Sequence, residues 1–169
     1  MESAPKLFNP ETSPLREAYE LLGATTPLEL HRLYSEQDQI LMKSGKWDYE
    51  NPDLVVNRVK EILESVKPGE LTEDEMEWRN EILWFWYHHA ISCAIGRYKD
   101  KEAAKKYSAH ALAIQSENHP NKITKLLDLL VNDKLEEAEA WAKAIQEEPE
   151  KETAQFLLEE YRSGNFFLN

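Results

Sequence analysis

The chain has 169 residues, which is long enough for one domain or two small ones with a buried core. Five glycines and eight prolines leave little room for a turn-rich all-β fold, and 41% hydrophobic residues exclude disorder throughout. With 20 basic against 32 acidic side chains, the net charge is −12. This charge disfavours binding to nucleic-acid backbones or anionic lipid.

Membrane insertion and export are also disfavoured. No stretch approaches the roughly 18 apolar residues of a membrane span, and the first residues lack the basic end and apolar run of a signal peptide. The single cysteine, Cys93, rules out an internal disulfide and fits a reducing compartment. We therefore expect a cytoplasmic protein without a membrane partner.

Helix-start and helix-stop signals divide the chain into about eight helices. Residues 1–12 form a polar run with two prolines, so we expect a flexible leader there, with Leu7 and Phe8 available for docking. Ser13 and Pro14 then start a short first helix, which Gly23 ends and whose apolar residues, Leu15, Ala18, Leu21 and Leu22, recur at helical spacing.

Two capping boxes mark the starts of the second and fourth helices. Thr26 with Glu29, and Thr72 with Glu75, each pair a threonine hydroxyl with a carboxylate three residues later. In such a box each side chain accepts a hydrogen bond from an unpaired backbone amide of the other residue.

The fourth helix is predicted over about 73–98 and is apolar almost all round. Its large side chains lie on two faces: Trp78, Ile82, Phe85, Trp86, His89 and Cys93 on one, and Trp84, Tyr87, Ile91, Ile95 and Tyr98 on the other. Because a helix of this kind must be buried, we predict a central rod covered by shorter helices.

The remaining helices complete a single helical domain over residues 13–169. Asn51 and Pro52 start the third, since apolar residues continue at helical spacing beyond the strand-like Leu54, Val55 and Val56. The last four are predicted over 101–116, with Asp100 as its cap, over 121–131, over 134–147 and from Pro149 to about 163. Short loops indicate antiparallel hairpins.

An internal match at a period of 34 residues runs between residues 91 and 146. The matched pairs are Ile95 with Leu129, Ala104 with Ala138, Tyr107 with Trp141, Ser108 with Ala142, and Ala111 with Ile145. Together with residues 133–149, D-K-L-E-E-A-E-A-W-A-K-A-I-Q-E-E-P, this segment resembles the tetratricopeptide repeat. The resemblance covers about residues 91–149 and implies a right-handed stack of hairpins that binds other proteins; a compact helical bundle is the alternative.

Charge is unevenly distributed along the chain. Residues 97–125 hold seven basic and three acidic side chains, a net charge of +4, which leaves −16 for the rest. We predict that this basic stretch anchors the carboxylates of a partner segment in a groove between helix pairs. The candidate binding residues are Lys101, Lys105, Lys122, Asn121 and Tyr98; a solvated helix face is the alternative.

His89, Cys93 and His110 are the candidates for a metal or thiol site. His89 and Cys93 share a helix face, and His110 on the next helix is a potential third ligand. We favour a structural cysteine, because Cys93 lies in an aromatic stripe and the sequence has no CxxC or HExxH motif. The absence of a glycine-rich phosphate motif disfavours a nucleotide enzyme. We therefore predict neither an enzyme nor a bound cofactor.

Phe166, Phe167 and Leu168 follow the helix stop at Gly164, where a solvated tail would be polar. They are expected to fold back onto the last helices or, alternatively, to insert into a partner or a second copy of the chain, giving a homodimer.

From these patterns we predict a non-catalytic scaffold or adaptor that binds a protein partner. The first alternative is an acidic decoy whose carboxylate rows occupy the basic groove of a nucleic-acid-processing protein, as the −16 remainder allows. The second alternative is a metal- or thiol-dependent enzyme.

Overall fold

The structure, a computed structural model, describes residues 8–114 and 122–166. Within these residues it is all-helical, with eight α-helices and no strand, as predicted. The helices are α1 Arg16–Leu22, α2 Pro27–Lys43, α3 Val55–Ser65, α4 Glu73–Cys93, α5 Lys101–Ile114, α6 Lys122–Val131, α7 Leu135–Lys143 and α8 Glu150–Arg162. None of these helices is long and apolar enough to cross a membrane.

The chain divides into two compact units, Met1–Trp86 and Tyr87–Asn169, and the boundary falls inside α4. We call them the N-terminal unit and the C-terminal unit. The single domain over 13–169 stays a prediction.

Apart from α1, which begins at Arg16 without a side-chain cap rather than at Ser13 and Pro14, the helix starts follow the predicted caps with two local differences. Both bonds of the second capping box form: Thr72 Oγ1 accepts from the Glu75 amide at 3.2 Å, and Glu75 accepts from the Thr72 amide. In the first box, Thr26 Oγ1 accepts from the Glu29 amide at 3.1 Å, but the Glu29 carboxylate accepts from the amide and hydroxyl of Thr25.

The other difference is at α3, which begins at Val55 rather than next to Asn51. The Asn51 side chain accepts from the Asp53 amide at 3.0 Å and so closes a turn before the helix. The strand alternative for Leu54, Val55 and Val56 is excluded.

Helix α4 is covered along its middle, as expected for an apolar rod. Every residue from 78 to 91 is buried or half-buried. The regular α-helix ends at Cys93, five residues earlier than predicted, and Ala94–Tyr98 continue as a wider π-turn. The amides of Lys99 and Asp100 both donate to the Ala94 carbonyl and close this turn.

A buried glutamate ties α4 to the start of the chain. Glu75 is 2% exposed, and besides Thr72 it accepts hydrogen bonds from Ser13 Oγ and, at 3.1 Å, from the Tyr19 hydroxyl. Burial and the nearby carboxylate raise the pKa of Tyr19, which keeps its hydroxyl protonated as a donor. At the N-terminal edge of the described residues, Phe8 packs on the Tyr19 ring at 5.5 Å; the expected flexible leader otherwise lies largely outside them.

Two tryptophans anchor the loop before α3. Trp86 donates its indole N–H to Asn57 at 2.9 Å, and Asn57 in turn donates to two carbonyls of that loop. Trp47 is 3% exposed; its ring lies 5.6 Å from that of Trp86, and its N–H donates to Asp38. Each buried indole therefore has a polar partner, as burial requires.

In the C-terminal unit, α6 packs against α5, α7 and α8. The buried cluster consists of Leu126, Leu127, Leu129, Leu130, Ala138, Ile145, Ala154, Leu158 and Phe166. Phe166 is 4% exposed and meets the Tyr161 ring edge-on at 5.8 Å. The chain itself therefore covers Phe166, as folding back predicts, whereas Phe167 and Leu168 lie outside the described residues.

The bounds of three helices in this unit can be compared with the predictions. The Asp100 side chain caps α5 by accepting from the Ala103 amide at 3.0 Å, as expected. The predicted end of this helix at 116 lies outside the described residues. Helix α7 ends at Lys143, four residues before its predicted end, and α8 keeps its predicted bounds.

Replacing Glu75 with alanine should lower the free energy of unfolding by about 2–3 kcal/mol, because its donors lose their acceptor in a buried place. Chemical denaturation measures the change. Glu77→Ala is the matched control, since Glu77 is exposed two residues further along the same helix, and should change the free energy by no more than about 0.5 kcal/mol. Equal losses in the two variants would contradict the buried role.

Phe166→Ala should lower the unfolding free energy by about 3 kcal/mol, the loss typical of a large core side chain. Its control is Phe156→Ala, since Phe156 on α8 is 58% exposed. Denaturation and molecular mass in solution are measured together. An unchanged melt accompanied by a smaller oligomer would instead assign Phe166 to an interface.

Candidate functional site

The basic residues predicted to bind a partner do not converge. Helices α5 and α6 run antiparallel, since Ser108 Oγ lies 3.0 Å from the Asp128 carboxylate and Lys101 pairs with Asp133. Lys122 therefore begins α6 at the opposite end of the hairpin from Lys101, about 14 Å away along the helix.

The other predicted binding residues have separate surroundings. Lys105 lies 3.7 Å from Glu102 on its own helix. Tyr98 is 40% exposed in the π-turn. Asn121 lies outside the described residues.

Lys101 forms an ion pair within the fold. Asp133, in the left-handed turn between α6 and α7, accepts from Lys101 Nζ and, at 2.8 Å, from the Tyr161 hydroxyl. The Lys101 ammonium holds the pKa of Asp133 below its usual value, and the Tyr161 hydrogen bond adds to the effect. Asp133 thus joins the α6–α7 turn to Lys101 of α5 and to Tyr161 of α8.

The metal alternative finds no support in the described geometry. In residues 8–114 and 122–166, no three His, Cys, Asp or Glu side chains are arranged to hold a metal ion. Of the three candidates, His110 lies edge-on to the Tyr87 ring at 5.2 Å, while His89 and Cys93 are half-buried on α4.

An open groove lies instead between α1 and α3, within the N-terminal unit. It has a volume of about 600 Å³ and is lined by Glu17, Glu20 and Leu21 from α1 and by Arg58, Glu61 and Ile62 from α3. Both helices contribute the same spacing, i, i+3 and i+4, which places the three side chains of each on one face. Neighbouring positions Ala18 and Val59 are fully buried, so the groove runs beside the packed seam of the two helices.

The groove combines aliphatic side chains with mostly negative charge. Leu21 is 40% exposed, although its spacing predicts an inward position, and Ile62 is half-buried. Glu20 pairs with Arg16 at 2.8 Å. Among the described residues, Glu17 and Glu61 form no ion pair.

The sequence patterns do not predict this groove. Its six residues belong to two amphipathic helices whose packing order cannot be read from spacing. The available signal is the repetition of an acidic residue directly before an aliphatic one, Glu20 before Leu21 and Glu61 before Ile62.

No protein-family model matches the sequence, and comparisons with curated proteins and with solved structures find no similar protein.

A buried histidine also distinguishes the C-terminal unit. His88 Nε2 lies 2.9 Å from the hydroxyl of Thr124, which is fully buried. Burial, with a smaller effect of neighbouring His89, lowers the pKa of His88 to about 4. The His88 side chain is thus neutral in the folded protein near neutral pH.

The stability of the protein should fall as the pH is lowered from about 6.5 to about 4. In this window the unfolded chain binds a proton at His88 that the folded chain does not bind, which costs about 3 kcal/mol once pH 4 is reached. Denaturation at several pH values measures the loss.

His88→Gln is the control for this pH dependence, because glutamine keeps a hydrogen bond to Thr124 but does not titrate. Its unfolding free energy should vary less with pH over the same window. Identical pH dependence in the wild type and this variant would contradict the assignment to His88.

Proposed function

We propose that this protein is a non-catalytic interaction module that binds a segment of a protein partner in the α1–α3 groove. The observation that carries the proposal is a groove of about 600 Å³ with an exposed leucine and two glutamates that form no ion pair among the described residues. Grooves between helices that combine aliphatic contacts with a charged rim commonly bind peptide segments.

The groove is favoured over the basic stretch for a physical reason. Lys101 is engaged with Asp133, and Lys122 lies at the other end of its hairpin, so one segment would have to span separate anchors. In the groove, six lining residues face a single opening. Lys105 and Lys122 remain secondary candidates for contact.

We also propose that the C-terminal unit is a divergent, tetratricopeptide-like pair of hairpins in a cytoplasmic adaptor. Ala104 and Ala138, which lie 34 residues apart, are both fully buried, and this supports equivalent roles for them at close helix contacts. Tyr107 and Trp141 are less alike, with 9% and 37% exposure.

An acidic decoy is the second candidate. The N-terminal unit carries 18 acidic and 9 basic side chains, a net charge of −9, and this favours contact with a basic protein. A decoy acts through many carboxylates, so its binding falls steeply with salt, whereas a groove contact through Leu21 keeps a salt-tolerant part.

Leu21→Asp should abolish capture of the specific partner, because it places a charge among the aliphatic contacts of the groove. Partners retained by immobilised wild-type and variant proteins are compared by quantitative mass spectrometry, after circular dichroism has confirmed folding. The matched control is Leu28→Asp, since Leu28 is 59% exposed on α2 and does not line the groove. Equal recoveries with both variants would refute the groove.

A further inference from the structure

We infer that the occupant of the α1–α3 groove is a basic amphipathic segment, in which Lys or Arg side chains flank an aliphatic one. The inference rests on the proposed function and specifies the chemistry of the partner.

The charges of the groove select the sign of the partner. Three of the four charged lining residues, Glu17, Glu20 and Glu61, are acidic, and Arg58 is the one base among them. An acidic segment would be repelled by the three carboxylates. The net charge of −9 on the N-terminal unit would repel it further.

The carboxylates are also available to a partner. Glu17 and Glu61 form no ion pair within the described part of the chain. The Arg16–Glu20 pair is exposed, with side chains 63% and 61% accessible. Exposed pairs of this kind contribute little to stability, so a cation from a partner can replace Arg16 at small cost.

The spacing of the groove residues fits a short periodic segment. Glu17 and Glu20 are one helical turn apart, about 4.5 Å along α1, and Leu21 follows directly. Glu61 and Ile62 repeat the acid–aliphatic order on α3. A helical segment with basic residues three or four positions apart and an aliphatic residue on the same face presents matching groups.

Three short synthetic peptides test the inference with the full chain. The first has Lys residues three or four positions apart and Leu on the same helix face. The other two replace every Lys with Gln or with Glu. Binding is measured by fluorescence anisotropy at low and at high salt. The Lys/Leu peptide should bind most tightly, and more weakly as salt is added.

Charge variants separate the groove from the general charge of the protein. Glu17→Gln with Glu61→Gln should weaken binding of the Lys/Leu peptide about tenfold. Glu70→Gln with Glu77→Gln makes the same change in net charge at exposed positions that do not line the groove, and should weaken it at most about twofold. Equal weakening by the two pairs would overturn the inference.

An aliphatic variant separates failure of the inference from failure of the proposed function. If the Gln/Leu or Glu/Leu peptide binds as tightly as the Lys/Leu peptide, and Leu21→Ser weakens that binding while Leu28→Ser does not, the basic occupant is refuted but the groove stands. If Leu21→Ser changes the binding of none of the three peptides, the groove itself is refuted.

A second copy of the chain is the remaining occupant to test. Molecular mass in solution is measured for the wild type and for the Glu17→Gln, Glu61→Gln variant. A wild-type dimer that this variant converts to a monomer would show that another copy fills the groove, and would overturn the inference of a separate basic partner.

Discussion

The structure depends on the burial of α4, a helix that has no polar face along its middle. Residues 78–91 include no exposed position, so each of these side chains is at least partly covered by other parts of the chain. Burial of large aromatic side chains is favourable only if their polar atoms find partners. Trp86 donates to Asn57 on α3, and His88 Nε2 lies within hydrogen-bond distance of the Thr124 hydroxyl on α6. Each of these helices must therefore carry a polar side chain at the position that contacts α4. The same requirement applies at the start of α4, where Glu75 accepts from Ser13 and Tyr19.

Because the middle of α4 is covered, the candidate site lies on an outer surface of the N-terminal unit. In the N-terminal unit, α1 packs against α3, Ala18 and Val59 on these helices are fully buried, and side chains beside them line the groove. Leu21 is exposed there, whereas Ala18 and Tyr19 are the buried residues of α1. The acidic excess of the unit and the three carboxylates that line the groove give the groove a net negative charge.

Local sequence signals predicted the elements well, because a cap or a glycine stop acts within one helical turn. The Thr72–Glu75 box, the Asp100 cap and the left-handed Gly23 all appear as expected. Errors arose where a second local arrangement competed. Asn51 closes a turn instead of starting α3, and Glu29 reaches the amide of Thr25 instead of that of Thr26. In each case the side chain has two backbone donors within reach, and sequence spacing does not distinguish them.

By itself, the sequence determined the all-helical class, the number of helices in the described residues, the burial of the middle of α4 and the overall negative charge. These properties follow from periodicity, caps and composition, which are local or additive. Only the tertiary structure decided which charged groups are occupied. Lys101 pairs with Asp133, 32 residues away in sequence, and Glu75 accepts from Ser13, 62 residues away. Both charged side chains therefore take part in contacts within the fold. The groove between α1 and α3 also results from packing. Its three lining residues on α1 and three on α3 lie far apart in the sequence and become neighbours only when the two helices pack together.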